Sequence, residues 1–331
     1  MSRKAWTSLA LHAALLAGAV VTLAPLLWML SASFMTTGEA NASPPPLLPA
    51  KATLAQYREL FVRLDLGRSF VNSSILALCA ALLSVVVNAA AGYAFAKLRF
   101  PARGRLFAGL LAAMVIPGQV AMLPVFLLLR SMGLVNSFAG VILPGIASIF
   151  GIFLVRQFAS SVPDELLDAA RIDGAGELRI FWSIVLPLCR PILVTLGVLT
   201  FLGTWTDFMW PLIVLTDDTK WPLTVSLASL AGEHVQDTEL MMAGAVVTVL
   251  PALLLFLFLQ RSYIDGITAG SIKEGSGSSS SPPRSPSSAP RRRRSRRFSA
   301  DQAGPPRRRR ASSSASLPRR TRPSGSTSTS G

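Results

Sequence analysis

The chain has 331 residues, of which 51% are hydrophobic and 15% are charged. A soluble globular domain is typically about 25% charged, and the mean hydropathy of +0.49 is also high for one. Two cysteines and two histidines are too few for a disulfide framework or a zinc site built from these residues. The composition therefore disfavours a soluble α/β enzyme and favours a protein that crosses the membrane several times.

The positive charge is concentrated at the C-terminal end of the chain. Residues 275–331 contain 14 arginines and one acid, Asp301, which gives a net charge of +13. Residues 1–274 contain 18 basic and 16 acidic residues, which gives +2. The chain therefore consists of a nearly neutral apolar body and a short, strongly basic tail.

Six stretches are apolar and long enough to cross a bilayer core, which takes about 20 residues in a helix. The sequence therefore predicts an all-α integral membrane protein with six transmembrane helices. No clean small-residue cleavage site follows the first helix, so we expect it to be retained rather than removed as a signal peptide. The predicted spans are Leu9–Ser31, Val71–Phe95, Leu106–Leu129, Phe138–Phe158, Pro191–Leu215 and Met241–Leu259.

The distribution of basic residues predicts the orientation, because lysine and arginine are enriched in cytoplasmic loops. With the N-terminus inside, the inner loops carry 12 of the 18 basic residues that precede the tail, and the outer loops carry six. We therefore expect a multi-pass protein of the cell membrane with both termini in the cytoplasm. The predicted organisation is an N-terminal transmembrane helix (1–33), an extracytoplasmic loop (34–70), a transmembrane core (71–260), a cytoplasmic segment (261–274) and the tail (275–331).

The first outer loop contains one further predicted element. Leu54–Leu66 reads as a short amphipathic helix with Tyr57, Leu60, Phe61 and Leu64 on one face. Such a helix commonly rests on the membrane surface, which is the simplest interpretation of this pattern.

Residues 161–187, on the predicted cytoplasmic side, have the features of a short exposed helix. Pro163 suits a first helical turn, and two acids follow it where the helix dipole favours negative charge. Gly174 and Gly176 are expected to end this helix in the left-handed conformation, and a second helix is expected near Glu177. A stripe of small residues with acidic edges suits close contact with a partner protein, although an ordinary connecting helix would show the same pattern.

This segment resembles the EAA signature of binding-protein-dependent ABC importer permeases. The matching residues are Asp168-Ala169-Ala170, Gly174, Ile184 and Leu186-Pro187. They are separated by gaps of three, nine and one residues. Asp168 stands where the signature usually has glutamate, which preserves the charge. The resemblance extends from about Gly38 to Lys273 and is most similar to the smaller, six-span permease subunit of the maltose type among carbohydrate importers. Further matching runs are Asn72-Ser73, Gly92–Lys97, Val115–Gln119, Gly133–Ser137 and Gly266–Gly270.

The resemblance implies a type I ABC importer permease fold and a subunit that translocates sugar by alternating access. Its EAA segment, residues 161–187, would be a coupling loop that docks a helix on a cytoplasmic ATPase subunit. The family works as two permease subunits, two ATPase subunits and an extracytoplasmic solute-binding protein. The residues expected to couple to the ATPase are Glu165, Asp168, Ala169, Ala170, Asp173 and Gly174.

No catalytic chemistry is expected from this chain. The sequence contains no phosphate-binding loop of the form G-x-x-x-x-G-K-[ST], no H-E-x-x-H zinc motif and no nucleophile elbow. We therefore expect a non-catalytic subunit without bound metal or cofactor, with ATP and Mg²⁺ on the partner ATPase.

Polar side chains inside the predicted spans are candidates for the substrate path, because they are costly in lipid. Asp207 is the only acid within a predicted span, and flanking tryptophans could hold a sugar ring. An aromatic anchor at the membrane interface would explain the same cluster. In related permeases an asparagine commonly stands where this chain has Thr206, so the local hydrogen bonding stays open. The candidate path residues are Asn72, Asn88, Gln119, Trp205, Asp207 and Trp210.

Two of these candidates carry a further expectation. Asn88 is also suited to a hydrogen bond between helices. Gln119 follows Pro117-Gly118, which is expected to break or kink the third span, and irregular backbone at membrane depth is tolerated where it faces protein or a water-filled cavity.

The tail after residue 274 is composed mainly of serine, proline, arginine and glycine. It cannot bury a core and is expected to be disordered. Adhesion to anionic membrane lipid and non-specific nucleic-acid binding are two interpretations, and the lack of stacking aromatic residues makes nucleic acid unlikely. A non-functional extension is the third, because the resembling family usually ends near Gly270–Lys273.

The favoured interpretation is the permease subunit of an ATP-driven sugar importer. One alternative is a same-family importer of a polyol or glycerol phosphate. An alternative from another class is an ion-coupled secondary transporter, which inverted repeats or several buried titratable residues would favour. A membrane-anchored nucleic-acid adaptor acting through the tail is a third.

Overall fold

The computed structural model describes residues 3–63, 65–233 and 237–268 of the chain. These residues form helices and connecting segments, and no β-strand occurs among them. The basic tail, for which we expect disorder, lies outside the described residues.

The helices follow one another through short connections. The first seven are α1 (Arg3–Ala32), α2 (Ala55–Arg63), α3 (Leu66–Lys97), α4 (Arg103–Ala113), α5 (Gly118–Ser131), α6 (Phe138–Ile142) and α7 (Ile149–Ala159). The next seven are α8 (Asp164–Ile172), α9 (Glu177–Ile180), α10 (Leu186–Leu188), α11 (Arg190–Trp205), α12 (Met209–Val214), α13 (Leu223–Glu233) and α14 (Thr238–Thr268).

Three of the described helices, α1, α3 and α14, are long and apolar enough to cross a membrane. Three further pairs meet the same criterion only together, because each is bent at a short break. The bend between α4 and α5 is 105°. The bend between Phe138–Gly145, which contains α6, and α7 is 46°, and the bend between Glu177–Leu188 and α11 is 81°. If each bent pair is one span, the described chain has six, the number that the sequence predicts.

Proline and local capping explain the first two bends. The break between α4 and α5 comes just before Pro117 and Gly118, as the sequence predicts. The bend after α6 was not expected. There Pro144 lies in a 3₁₀ turn, and the Ser148 hydroxyl accepts a hydrogen bond of 3.2 Å from the Gly151 amide, which caps a new helix.

The predicted fifth span, Pro191–Leu215, is wrong as a single helix. α11 ends at Trp205, and α12 begins only at Met209. In a continuous helix the ring of Pro211 would clash with the carbonyl four residues earlier, that of Asp207. That carbonyl instead accepts a hydrogen bond of 2.7 Å from the Thr224 hydroxyl. The chain is therefore irregular at Asp207, the one acid of the predicted span.

α3 is the central helix of the described fold, packing most extensively against α7 and α11. Two glycines allow the closest approach of α3 and α7. A Cβ atom on Gly92 would lie 2.7 Å from the Val155 side chain and 2.9 Å from the Arg156 amide nitrogen. A Cβ atom on Gly151 would lie 2.9 Å from the Asn88 side chain. The separation of the two helices is therefore set by residues without side chains.

The short helix of the first outer loop differs from its prediction. α2 runs from Ala55 to Arg63, and it packs against α14 and α3. Leu60 is fully buried, whereas Phe61 is half exposed, so the two do not share one buried face. α2 therefore packs into the protein interior, where Leu60 belongs to the same apolar cluster as Leu66 at the start of α3.

Gly92→Ala is expected to destabilise the fold. The new Cβ would meet backbone as well as side-chain atoms of α7, so the helices must separate, at a cost of about 1–3 kcal/mol. Gly109→Ala in α4 is the matched control, because a Cβ there has no neighbour within 4 Å and alanine favours the helix. Thermal unfolding of the detergent-solubilised chain should show a lower midpoint for Gly92→Ala alone. Equal midpoints would contradict this account of the α3–α7 contact.

Candidate functional site

The coupling loop predicted at residues 161–187 contains α8, which begins where the sequence predicts. Pro163 directly precedes the helix, and Asp164 and Glu165 occupy its first turn. The helix ends in a Schellman arrangement, in which the Ala175 amide donates to the Ala170 carbonyl at 2.9 Å.

The two glycines after α8 play different parts. Gly174 has φ +80°, the left-handed conformation that was predicted, and its amide donates to the Arg171 carbonyl at 3.0 Å. Gly176 has φ −70° and immediately precedes α9. The prediction of a left-handed Gly176 is therefore wrong, because Gly174 alone terminates α8. The second helix begins at Glu177, as predicted.

α8 has a buried and an exposed side. Leu167 is 1% exposed and packs into an apolar cluster with Val155 and Ile180, and Ala170 lies half-buried against the same cluster. On the opposite side the exposed residues include three apolar ones, which we call the outer face of α8: Leu166, Ala169 and Ile172. Of the predicted coupling residues, Glu165, Asp168, Ala169, Asp173 and Gly174 are exposed and Ala170 is not.

The C-terminal end of α3 holds the start of α8. The Lys97 ammonium donates to the Asp164 carboxylate and to the Val162 carbonyl, both at 2.6 Å. The Lys97 side chain is only 7% exposed. The hydrogen bond from Lys97, together with its charge, lowers the pKa of Asp164 from its ordinary value. The ion pair is therefore formed at neutral pH and is lost only when the pH falls through this lowered pKa.

A second set of contacts holds the end of α8. The Tyr93 hydroxyl donates to one carboxylate oxygen of Glu177 at 2.5 Å, and Arg171 donates to the other at 2.8 Å. Arg171 also donates to Asp168 at 2.7 Å, so Asp168 is paired within its own helix. We call the contacts of Tyr93 and Lys97 with the coupling loop the α3 clamp. Both residues belong to the run Gly92–Lys97 that carries part of the family resemblance, but no contact was predicted for them.

A cavity of about 450 Å³ lies beside the breaks of the third and fourth spans and beside the break between α11 and α12. It is within the range of about 300–1,000 Å³ that is usual for small-molecule sites. Three predicted path residues, Gln119, Asp207 and Trp210, line it. The other lining residues are Ala80, Gly118, Ala121, Met122, Val125, Val141, Ile142, Pro144, Gly145, Thr200 and Thr204.

The polar groups of the cavity are sparsely bonded. The Asp207 carboxylate interacts with two backbone amides, those of Trp210, at a long 3.4 Å, and of Met209. The Trp210 indole nitrogen is buried and has no hydrogen-bond partner within the described part of the chain. The cavity therefore offers a carboxylate, an amide at Gln119 and hydroxyls at Thr200 and Thr204.

The other three predicted path residues lie outside this cavity and bond to protein. The Asn72 amide donates to the Thr219 and Trp221 carbonyls at 2.9 and 3.1 Å. The Asn88 amide donates to the Ile146 carbonyl at 2.9 Å, which is the interhelical bond that the sequence suggested. Trp205 donates to the Thr248 carbonyl at 2.9 Å and is 2% exposed.

Comparison with known proteins identifies the family. The family of binding-protein-dependent transport system inner membrane components matches residues 88–267. The arabinooligosaccharide permease AraQ of Halalkalibacterium halodurans is 35% identical over 258 residues, covering 77% of this chain and 92% of AraQ. This chain belongs to that family. It is an inner-membrane permease component of the ABC importer type, which is not the class of an ion-coupled secondary transporter.

Two further comparisons agree. The diacetylchitobiose permease NgcG of Streptomyces coelicolor is 35% identical, covering 79% of this chain and 88% of NgcG. A crystal structure of a bacterial ABC transporter involved in import of the acidic polysaccharide alginate superposes with a TM-score of 0.69 at 24% identity, covering 79% of this chain and 98% of that one. The ABC importer permease fold that the resemblance implied is thereby confirmed.

Lys97→Met should loosen α8. The substitution keeps an apolar stem but removes two charge-assisted hydrogen bonds, which are worth about 1.5–3 kcal/mol for a charged group. Backbone hydrogen exchange in α8 should become about tenfold faster or more in the solubilised protein. Lys51→Met, at an exposed position between α1 and α2, makes the same chemical change and should leave α8 exchange unaltered. Unchanged exchange in Lys97→Met would show that the clamp does not hold the loop.

Proposed function

We propose that this chain is the translocating subunit of a sugar importer, which moves its substrate by alternating access driven by partner ATPases. The observation that carries the proposal is the construction of the coupling loop. α8 presents an apolar outer face, while Lys97 of α3 holds its start and Tyr93 of α3 holds its end through Glu177 and Arg171. A partner that displaces the outer face of α8 would therefore also displace α3, a transmembrane helix.

The outer face of α8 suits an ATPase groove for physical reasons. Leu166 and Ile172 are 44% and 85% exposed and lie on one side of α8 with Ala169, and adjoining exposed apolar residues of this kind commonly mark an interaction site. Ala169 lies between them and permits close backbone approach. Glu165 and Asp173 at the edges offer ion pairs to a basic partner.

The cavity beside Asp207 is the proposed substrate path. Sugars are recognised by hydrogen bonds to their hydroxyls and by packing against aromatic rings, and Asp207, Gln119 and Trp210 supply both. AraQ and NgcG are permeases for oligosaccharides, which supports a sugar as the substrate, and the glycerol-phosphate alternative rests on the lower 30% identity to UgpE, a glycerol-3-phosphate permease of Escherichia coli. The remaining candidates, Asn72, Asn88 and Trp205, would then support the helices around the path.

The proposed assembly contains a second permease subunit, two ATPase subunits and an extracytoplasmic solute-binding protein. The chain itself would bind neither ATP nor Mg²⁺ and would catalyse no reaction. The coupling loop and both termini would then lie in the cytoplasm, where ATP is available. Membrane lipid would surround the apolar surface of α1, whose side chains are largely exposed in the described chain.

The direct test is purification and reconstitution. The tagged chain, extracted in mild detergent, should bring an ATPase subunit and a second permease subunit with it. The purified complex in vesicles, with its binding protein, should take up radiolabelled oligosaccharide only when ATP is supplied on the coupling-loop side. A chain that purifies alone and catalyses ATP-independent uptake would refute the proposal.

Gly174→Val should uncouple the complex. A β-branched residue is strongly disfavoured at φ +80°, so the turn that ends α8 must change and the outer face would be displaced. Gly176→Val is the matched control, because Gly176 has an extended conformation and open space around its Cβ position. ATPase co-purification and substrate-stimulated ATP hydrolysis should fall in the first variant and persist in the second. Equal activity of both variants would contradict the role of α8.

A further inference from the structure

The cavity contains one formal charge. Among the described residues that line it, Asp207 is the only ionisable side chain, and the remainder are apolar residues, hydroxyls, one amide and one indole. No lysine or arginine lines the cavity, and none forms an ion pair with Asp207 within the described residues. The side chains that line the cavity therefore supply one acidic group and no basic one.

Asp207 is also weakly compensated by hydrogen bonds. Its carboxylate interacts with the backbone amides of Trp210, at a long 3.4 Å, and of Met209, and no side chain donates to it within the described residues, which leaves part of its acceptor capacity free. Within a membrane protein the surroundings screen a charge less than water does, so that like charges repel more strongly. A bound phosphate or carboxylate normally requires arginine, lysine or several backbone amides directed at it. Neither arginine nor lysine lines this cavity.

We propose that the cavity selects uncharged oligosaccharides and discriminates against sugars that carry phosphate or carboxylate groups, with Asp207 as the residue that sets this preference. Hydroxyls of a neutral sugar can donate to the Asp207 carboxylate and to the Gln119 carbonyl oxygen. The inference rests on the proposed function in so far as it takes this cavity for the substrate path.

The inference distinguishes this chain from a structural neighbour. The transporter of the superposed crystal structure is involved in the import of alginate, an acidic polysaccharide. Similarity of fold therefore does not indicate the charge of the substrate. The residues that line the cavity do indicate the charge of the substrate, because they must compensate any charge that a bound solute carries.

The test measures the electrostatic potential and the occupant of the cavity separately from ATP-driven transport. Gln119→Cys is introduced into the full complex in vesicles, and its modification rate is measured with an uncharged and with an anionic thiol reagent of similar size. Each rate is divided by the rate of the same reagent with a small thiol in solution. The parent complex without Gln119→Cys reports background labelling of Cys79 and Cys189.

The uncharged reagent should react about fivefold faster or more, as expected for one nearby like charge in a partly screened site. Adding Asp207→Asn should bring the two rates close together. Adding Asp218→Asn, the same change at an exposed residue of the outer loop, should leave the ratio unaltered. Equal normalised rates in the single variant, or a ratio that is insensitive to Asp207→Asn, would overturn the proposal.

Protection by substrate completes the test. A neutral oligosaccharide should slow the labelling of Gln119→Cys, and a uronic acid oligosaccharide of the same length should not. Equal protection by both would overturn the charge preference. Protection by neither would remove the cavity from the substrate path, and ATP-driven uptake by the same complex would then show that the importer proposal survives without it.

Discussion

The contact on which the rest of the proposed mechanism depends is that of the Lys97 ammonium with the coupling loop. An ammonium group whose side chain is 7% exposed must be compensated, because burial of an unpaired charge is strongly unfavourable. The Asp164 carboxylate and the Val162 carbonyl supply that compensation. Because the Lys97 ammonium needs these partners, the coupling loop is held at the end of α3. The Tyr93 hydroxyl adds a second attachment, to Glu177.

α3 also connects this attachment to the cavity. Ala80 lines the cavity, and it precedes Lys97 by 17 residues, which in an α-helix corresponds to about 25 Å. The close contact of Gly92 with α7 adds a second helix to the unit that would move with the loop. A displacement of α8 would thus reach the wall of the cavity through a rigid element, without a chain of small side-chain shifts.

Two features that depend on neighbouring residues were predicted from the sequence, and two that depend on distant residues were not. Pro117 and Gly174 act on their own backbone, so the break of the third span and the end of α8 were both foreseen. The break at Asp207 involves the Thr224 hydroxyl, which is 17 residues away. The pairing of Tyr93 with Glu177 joins residues 84 apart, and no local pattern marks it.

The same distinction separates the six predicted path residues. A polar side chain in a membrane helix must be satisfied by protein or by water and solute. Asn72, Asn88 and Trp205 each donate to a backbone carbonyl of another segment, which accounts for their donor groups, while the buried Asn88 Oδ1 has no partner within the described residues. Gln119, Asp207 and Trp210 line the cavity instead, and their hydrogen-bonding capacity remains largely open. Residue type alone could not separate these two sets, because the difference is whether the polar group already has a hydrogen-bond partner within the protein.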